Sequence, residues 1–175
     1  MANTLIERLR GSLVKSEDGK YDLLPVYANS ELFNEIVSEI ASGYEGKVDY
    51  VVAPEAMGWV LGAAVASRLG CGFAGIRKLE NSIYMNQDIC RVIFMDHEKQ
   101  RKSFGVPLSW EAKEKRVLIV DDWIKTGSQI QALISLCERF DCTVAGMAVI
   151  GADERALIEE WLKKGQLKCL DLEDD

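Results

Sequence analysis

VLIVDDWIKTGSQ, residues 117–129, is the most informative segment of the chain. Its first four residues are apolar without alternation, which is typical of a strand covered on both faces of a sheet. Two adjacent carboxylates, Asp121 and Asp122, follow the apolar run. In open α/β sheets, ligands bind beyond the carboxyl ends of the strands. The segment therefore predicts a buried strand with a ligand site at its end.

The polar half of the segment combines groups suited to a sugar and to a phosphate. Vicinal sugar hydroxyls can donate hydrogen bonds to Asp121 and Asp122, or the two carboxylates can help to hold a cation. Gly127 lets the backbone approach a ligand closely, while the hydroxyls of Thr126 and Ser128 and the N-terminus of the following helix can donate to an anion. We interpret the segment as a ribose-5-phosphate site. The alternative is that the two aspartates only solvate a strand end and Ser128 only caps a helix.

Strand and helix patterns alternate along the rest of the chain. The spacing of apolar residues predicts helices over 3–10, 30–43 (capped by Ser30), 58–69, 129–140 and 154–164, and strands over 48–53, 73–76, 116–121, 143–150 and 167–172. Two extended arms, 90–95 and 103–108, flank the polar stretch 96–102 and predict a hairpin. This order predicts one α/β domain over residues 1–175, with a mainly parallel twisted sheet flanked by helices.

Composition excludes several classes of function. A single histidine, His97, rules out a three-histidine zinc site and an HExxH protease. The net charge of −7 argues against a nucleic-acid polymer as partner. Four of the acids lie in an acidic tail, residues 171–175, and the remainder of the chain has 24 acids and 21 bases. A mildly acidic chain can still bind one small phosphorylated sugar through backbone N–H groups.

The cysteines and the apolar runs indicate location. The five cysteines are odd in number and include no CxxC, as expected for free thiols in a reducing cytoplasm. No run approaches the roughly 20 apolar residues of a membrane span, and the N-terminus lacks a secretory core. We expect a cytoplasmic protein without membrane contact.

Two familiar motifs do not predict nucleotide binding here. Residues 70–75 read GCGFAG, a literal GxGxxG, but a helix precedes it and a strand follows, the reverse of the dinucleotide-binding order. We interpret it as a helix-to-strand turn. No GxxxxGK[ST] sequence occurs, so the motif of the P-loop nucleotidases is absent.

Residues 117–129 resemble the PRPP-binding signature of type I phosphoribosyltransferases. Residues 52–78 resemble the purine branch of that family, the adenine and xanthine phosphoribosyltransferases. The resemblance implies transfer of the 5-phosphoribosyl group of PRPP to a purine base of the adenine or xanthine/guanine class, with release of pyrophosphate. It also implies a homodimer and a Mg²⁺ ion that accompanies PRPP and can contact Asp121 and Asp122.

The resemblance further assigns residues to roles. The ribose and 5-phosphate of PRPP would contact Asp121, Asp122, Lys125, Thr126, Gly127, Ser128 and Gln129, and its pyrophosphate would contact Glu55, Ala56, Met57, Gly58, Arg77, Lys78 and Lys99. An N-terminal hood, about residues 11–30, would read the base through Tyr27 and Asn29, with Trp123 as a further base contact. The candidate catalytic residues are Asp121, Asp122 and Glu98. The proton of the base could go to Asp96, His97 or Glu98, all on a mobile loop, 96–102, within the hairpin of about 90–108.

Several positions depart from the family pattern. Adenine enzymes usually carry Arg-Gly-Phe where this chain has Met57-Gly58-Trp59, and Trp123, Lys125 and Gln129 stand where smaller residues are typical. These departures motivate an alternative, a non-catalytic homologue of the same fold that binds PRPP or a nucleotide and reports to a partner. A third possibility is a generic α/β module without this ligand.

Overall fold

Helices and strands alternate along the chain in the computed structural model, which describes residues 4–17, 21–79, 88–153 and 156–173. The helices are α1 (Leu5–Ser12), α2 (Leu24–Ala28), α3 (Ser30–Ala41), α4 (Met57–Leu69), α5 (Ser128–Arg139) and α6 (Ala156–Lys163). The strands are β1 (Val14–Lys15), β2 (Tyr21–Asp22), β3 (Tyr50–Pro54), β4 (Gly72–Lys78), β5 (Ile89–Met95), β6 (Arg101–Pro107), β7 (Arg116–Ile124), β8 (Thr143–Asp153) and β9 (Leu167–Glu173).

The main sheet has seven strands in the order β5-β6-β4-β3-β7-β8-β9. Five neighbouring strands, β4, β3, β7, β8 and β9, run parallel to one another. Strands β5 and β6 form a hairpin whose β6 pairs antiparallel with β4. The predicted α/β fold and its hairpin are therefore confirmed. The order places β3 beside β7, and the two strands are parallel. The loops that follow them are therefore neighbours at the carboxyl ends of the strands.

Helices cover both faces of the sheet. On one face, helices α1 to α4 pack over Val51, Leu118 and Val120, and on the other, α5, α6 and the β5–β6 hairpin pack over Val117 and Ile119. All five side chains are fully buried. Burying each contributes about 1.5–3 kcal/mol. This two-sided burial explains why the apolar run of β7 does not alternate.

Two boundaries differ from the sequence-based prediction at functionally important places. Strand β7 continues beyond its predicted end at residue 121 as far as Ile124, so Asp122 lies within the strand as Asp121 does, because β8 pairs with β7 as far as Ile124. Helix α3 is capped by Asn29, not by Ser30: the Asn29 carboxamide oxygen accepts a hydrogen bond from the Leu32 N–H at 3.1 Å. The range of about 11–30, expected to form the hood, contains β1, β2 and α2.

Strand β9 shortens the predicted acidic tail. Asp171 lies within β9, is 6% exposed and accepts a hydrogen bond from the Arg10 guanidinium at 2.6 Å. It therefore ties the C-terminal strand to α1 instead of adding to a solvated tail. Residues 174 and 175 lie outside the described residues. In the described ranges, no helix has the length and apolar character needed to cross a membrane.

Candidate functional site

The two aspartates of β7 lie at the carboxyl end of the sheet. Asp121 is 4% exposed, and its Oδ1 accepts a hydrogen bond from the Asp122 N–H at 2.9 Å. Burial, and secondarily the neighbouring Asp122 carboxylate, raises the pKa of Asp121 well above its usual range. A Cβ atom at Gly58 would lie 2.8 Å from Asp121 Oδ1. The absence of a side chain at Gly58 therefore lets the N-terminus of α4 approach this carboxylate.

The turn between β7 and α5 is held by its own hydroxyl groups. The Oγ atoms of Thr126 and Ser128 are 3.0 Å apart, and the Ser128 N–H donates to Thr126 Oγ1 at 3.4 Å. Gly127 has a φ of 79°, and its carbonyl accepts from the Gln131 N–H at 2.9 Å. Because Gly127 is the N-cap residue of α5, no side chain caps the helix there. The first N–H groups of α5 and two hydroxyls therefore surround this turn.

A pocket of about 210 Å³ opens over the turn. Its lining comprises residues 121–130 of β7, the turn and α5, with Tyr21 from β2 and His97 from the tip of the hairpin. Three separate parts of the chain thus converge on one pocket. Tyr21 was not among the sequence-based candidates, because an aromatic residue next to turn residues carries no distinguishing pattern.

A second pocket of about 190 Å³ lies beside the first and shares Asp121, Asp122 and Gln129 with it. Its other lining residues are Glu55, Ala56, Met57, Gly58 and Lys78. The Glu55 carboxylate accepts from the Lys78 N–H at 3.0 Å, which holds the loop after β3 against the end of β4. Ala56, the N-cap residue of α4, makes no side-chain cap hydrogen bond. Each pocket therefore lies next to the N-terminus of a helix, and neither helix has a side-chain cap there.

Trp123 forms an aromatic wall of the first pocket. Its indole Nε1 donates to Asp153 Oδ1 at 2.7 Å, and its ring lies 4.5 Å from the ring of Tyr21 with an interplanar angle of 41°. On β8, Gly151 is the register partner of Trp123, and a Cβ atom at that position would overlap the indole ring. The ring therefore occupies the space above Gly151.

Both pockets contain the carboxylates of Asp121 and Asp122, which are potential metal ligands. Within the ranges that the structure describes, no group of three or more His, Cys, Asp or Glu is arranged to hold a metal. Asp121 and Asp122 are two neighbouring carboxylates. Mg²⁺ is commonly bound through one or two carboxylates together with substrate phosphates and water. The donor set therefore fits a magnesium ion that arrives with a phosphorylated ligand.

Comparison with known proteins identifies the family. Residues 26–169 match the family model of the phosphoribosyl transferase domain. The chain belongs to the phosphoribosyltransferase family. It is 34% identical to an adenine phosphoribosyltransferase of Streptococcus thermophilus over 145 residues, which cover 79% of this chain and 81% of the relative. An adenine phosphoribosyltransferase of Thermotoga sp. is 33% identical over 132 residues, 74% of each chain.

Solved structures agree with the assignment to the phosphoribosyltransferases. The crystal structure of adenine phosphoribosyltransferase from Thermoanaerobacter pseudethanolicus superposes with a TM-score of 0.82 at 27% identity, over 97% of this chain and all of that one. The Giardia lamblia enzyme complexed with 9-deazaadenine gives the same TM-score at 22% identity, over 98% of this chain and 99% of that one. At that identity the second match shows the fold alone.

Tyr27 and Asn29 were predicted to contact the base, but neither residue lines either of the two pockets. The Tyr27 hydroxyl is buried and has no hydrogen-bond partner among the described residues. The Tyr27 ring packs edge-on against the ring of Phe33, with 5.3 Å between the ring centroids. Burial, together with the charges of Asp122 and Asp121, raises its pKa. The Asn29 side chain caps α3. Trp123, the third predicted base contact, does line the first pocket.

Among the residues predicted to bind pyrophosphate or to act in catalysis, some line a pocket and others do not. Lys78 lines the second pocket, whereas the Arg77 guanidinium lies 4.9 Å from the centre of the Trp59 ring, because successive residues of a strand point to opposite faces. At the hairpin tip, Glu98 and Lys99 are exposed and line neither pocket. His97, which lines the first pocket, lies 3.6 Å from Glu98.

Proposed function

We propose that this protein transfers the 5-phosphoribosyl group of PRPP to a purine base and releases pyrophosphate, with adenine as the acceptor. The observation that carries the proposal is the meeting of two pockets at Asp121, Asp122 and Gln129. A sugar with a phosphate at one end and a pyrophosphate at the other needs such a pair of adjoining sites. The relatives named adenine phosphoribosyltransferase support adenine over other purines.

The first pocket would hold the ribose and its 5-phosphate. Asp121 and Asp122 would accept hydrogen bonds from the vicinal hydroxyls. Lys125 to Gln129 would surround the phosphate, since the turn offers the Thr126 and Ser128 hydroxyls and the first N–H groups of α5. Backbone donors bind an anion without net positive charge, which is compatible with the acidic composition of the chain.

The second pocket would hold the leaving pyrophosphate. Ala56, Met57 and Gly58 would donate backbone N–H groups, whereas the Glu55 N–H already donates to the Ile76 carbonyl at 2.9 Å. Lys78 would supply positive charge from the end of β4. Lys78 is better placed for this role than Arg77, which lies over Trp59. Mg²⁺, held by PRPP and either aspartate, would supply further charge neutralisation for the leaving group.

In the reaction, the bond between C1 of the ribose and the pyrophosphate oxygen breaks and a bond from C1 to a ring nitrogen of the base forms. The transition state is oxocarbenium-like, so orientation of the two substrates, neutralisation of the leaving group and exclusion of water would dominate catalysis. His97 could exclude water from the hairpin side, since it already lines the pocket. The proton of the base would pass to a group at this tip.

Two properties of the molecule accompany the proposal. A homodimer is supported by exposed apolar residues, Met57 and Val60 on α4 and Phe73 on β4, which are 42%, 44% and 37% exposed. Burying such residues against a second copy would remove apolar surface from water. A cytoplasmic location is supported by the five cysteines, which are all free thiols.

The decisive experiment incubates the protein with PRPP, Mg²⁺ and adenine, guanine, hypoxanthine or xanthine in turn. We expect pyrophosphate and AMP to form fastest with adenine. Tight PRPP binding without turnover for any base would instead favour the non-catalytic homologue. Absence of PRPP binding would contradict both. The double variant Asp121→Asn with Asp122→Asn should fold and lose PRPP binding, and unchanged affinity would refute the ribose assignment.

A further inference from the structure

Gln129 lies where the two pockets meet. Among residues 123–130, which all line the first pocket, Gln129 alone also lines the second. It is the second residue of α5, and a side chain on a helix leans towards the N-terminus of that helix. This direction leads from α5 back towards the end of β7, where Asp121 and Asp122 line both pockets. The Gln129 carboxamide can therefore reach the second pocket while its main chain stays at the first.

The charges around the second pocket oppose an anion. Three of the lining side chains are acidic, Glu55, Asp121 and Asp122, and one, Lys78, is basic. A pyrophosphate group that enters this pocket therefore needs uncharged N–H donors in addition to the lysine and a metal ion. The carboxamide of a glutamine supplies two N–H donors and adds no charge. Gln129 is thus the kind of side chain that this pocket requires.

We propose that the Gln129 carboxamide donates hydrogen bonds to the pyrophosphate group of PRPP while the Gln129 main-chain N–H faces the 5-phosphate, so that one residue contacts both ends of the ligand. This inference rests on the proposed function, because it assigns a ligand contact within that site. Lys125, Thr126 and Ser128 line the first pocket but not the second, so they contact the 5-phosphate alone. A sugar phosphate without pyrophosphate makes no contact with the Gln129 side chain.

Pyrophosphate and ribose 5-phosphate, the two anionic fragments of PRPP, test the two contacts separately. Calorimetric titration of each fragment in the presence of Mg²⁺ gives a Kd that does not depend on turnover. Gln129→Ala should raise the Kd of pyrophosphate about tenfold, equivalent to about 1.4 kcal/mol, because the lost hydrogen bonds are to a charged group. The Kd of ribose 5-phosphate should stay within about twofold of the parent, because the main-chain N–H remains.

Gln129→Glu sharpens the test. Glutamate keeps the length of the side chain but replaces the N–H donors by an anionic carboxylate. This variant should raise the Kd of pyrophosphate more than Gln129→Ala does. An acidic residue in the first turn of a helix is stabilising, so a weakened α5 would not account for the loss.

Ser128→Ala and Gln131→Ala are the matched controls. Ser128 lines only the first of the two pockets, so its variant should raise the Kd of ribose 5-phosphate about fivefold to tenfold and leave that of pyrophosphate within about twofold. Gln131 is exposed and lines neither pocket, and Gln131→Ala removes the same carboxamide further along α5. It should leave both Kd values unchanged. Thermal unfolding shows whether each variant is folded.

Each outcome decides the proposal. An unchanged pyrophosphate Kd in folded Gln129→Ala would overturn it, as would equal rises in the Kd values of pyrophosphate and ribose 5-phosphate. A parent protein that binds neither fragment would overturn it together with the assignment of the PRPP site. A parent protein that binds PRPP but turns over no base would contradict the proposed function alone, and the Kd values of the fragments would still decide the role of Gln129.

Discussion

Gly151 lies beneath the indole ring of Trp123, and the two residues are register partners on the neighbouring parallel strands β8 and β7. Any side chain at Gly151 would compete with the ring for the same space. Gly151→Ala should therefore displace Trp123, raise KM for the base at least about tenfold and cost about 1–3 kcal/mol of stability through overpacking. Steady-state kinetics with the base varied, together with thermal unfolding, measure the two effects.

Gly146→Ala is the matched control on the same strand. A Cβ atom at Gly146 would overlap Tyr44, which packs away from both pockets, so this variant should lose stability without a change in base KM. If both variants changed base KM equally, the effect would come from general damage to β8 and not from Trp123.

Gly127→Ala should weaken the phosphate turn. Gly127 has a φ of 79°, and its Cβ atom would lie 3.0 Å from Leu157 and 3.1 Å from Trp161. The left-handed backbone alone costs a non-glycine residue about 1–2 kcal/mol, and the contacts with α6 add to it. We expect a lower melting temperature and weaker PRPP binding, measured by thermal unfolding and by calorimetric titration.

Gly165→Ala provides the comparison for the turn. Gly165 also has a positive φ, 65°, but a Cβ atom there would meet nothing within 4 Å. It should show only the backbone cost and retain PRPP affinity. An equal loss of PRPP affinity in both variants would contradict the role assigned to the 125–129 turn.

Asp121 is expected to lower stability in return for function. Its native-state pKa is raised, chiefly by burial, so the native state retains a proton that the unfolded chain releases as pH rises above about 4. Stability contributed at this position is therefore present below pH 4 and declines as pH rises towards the native pKa. Asp121→Asn cannot ionise, so its melting temperature should exceed that of the parent at pH 7 while PRPP binding is lost.

The pH series provides the check on Asp121. The difference in melting temperature between Asp121→Asn and the parent should shrink as pH is lowered from 7 towards 3, because the parent carboxyl then becomes protonated in the unfolded chain as well as in the native state. A constant difference over that range would contradict a raised pKa as the cause. Asp49 is the reference acid for this comparison, because its pKa shifts in the opposite direction to that of Asp121: the Arg116 guanidinium lowers the pKa of Asp49 to about 2.

The fold and half of the site follow from short-range patterns in the sequence. The two-sided burial of 117–120, the adjacent aspartates and the glycine turn all lie in one segment, and its interpretation needs no distant contact. The hairpin was equally predictable, because polar residues 96–102 interrupt two apolar arms. In contrast, Tyr21 reaches the pocket only because the N-terminal segment folds back across the end of β7, and no local pattern encodes that contact.

Alternation along β4 explains a second limit. Arg77 and Lys78 are adjacent cations, and composition treats them alike, but the strand sends one over Trp59 and the other into the pocket. Tyr27 has the same difficulty: an aromatic residue in the hood suits a base contact, yet its apolar neighbours bury it beside Phe33. To predict where a side chain points, one needs the register of the sheet and the packing of the helices. The spacing of residues in the sequence does not supply either.

The hairpin tip separates two candidate proton acceptors. His97 lines the first pocket, whereas Glu98 lines neither pocket, and the Glu98 N–H donates to Asp96 Oδ1 at 3.0 Å. If His97 closes the pocket over PRPP, His97→Ala should raise KM for PRPP about tenfold, the loss expected for one hydrogen bond to a charged group. Glu98→Gln should change KM for PRPP less than twofold. Steady-state kinetics across pH 5–9 compares the two variants. A large fall in kcat for Glu98→Gln with loss of the acidic limb of the pH profile, and no effect of His97→Ala, would assign the proton to Glu98 instead and refute the closing role of His97.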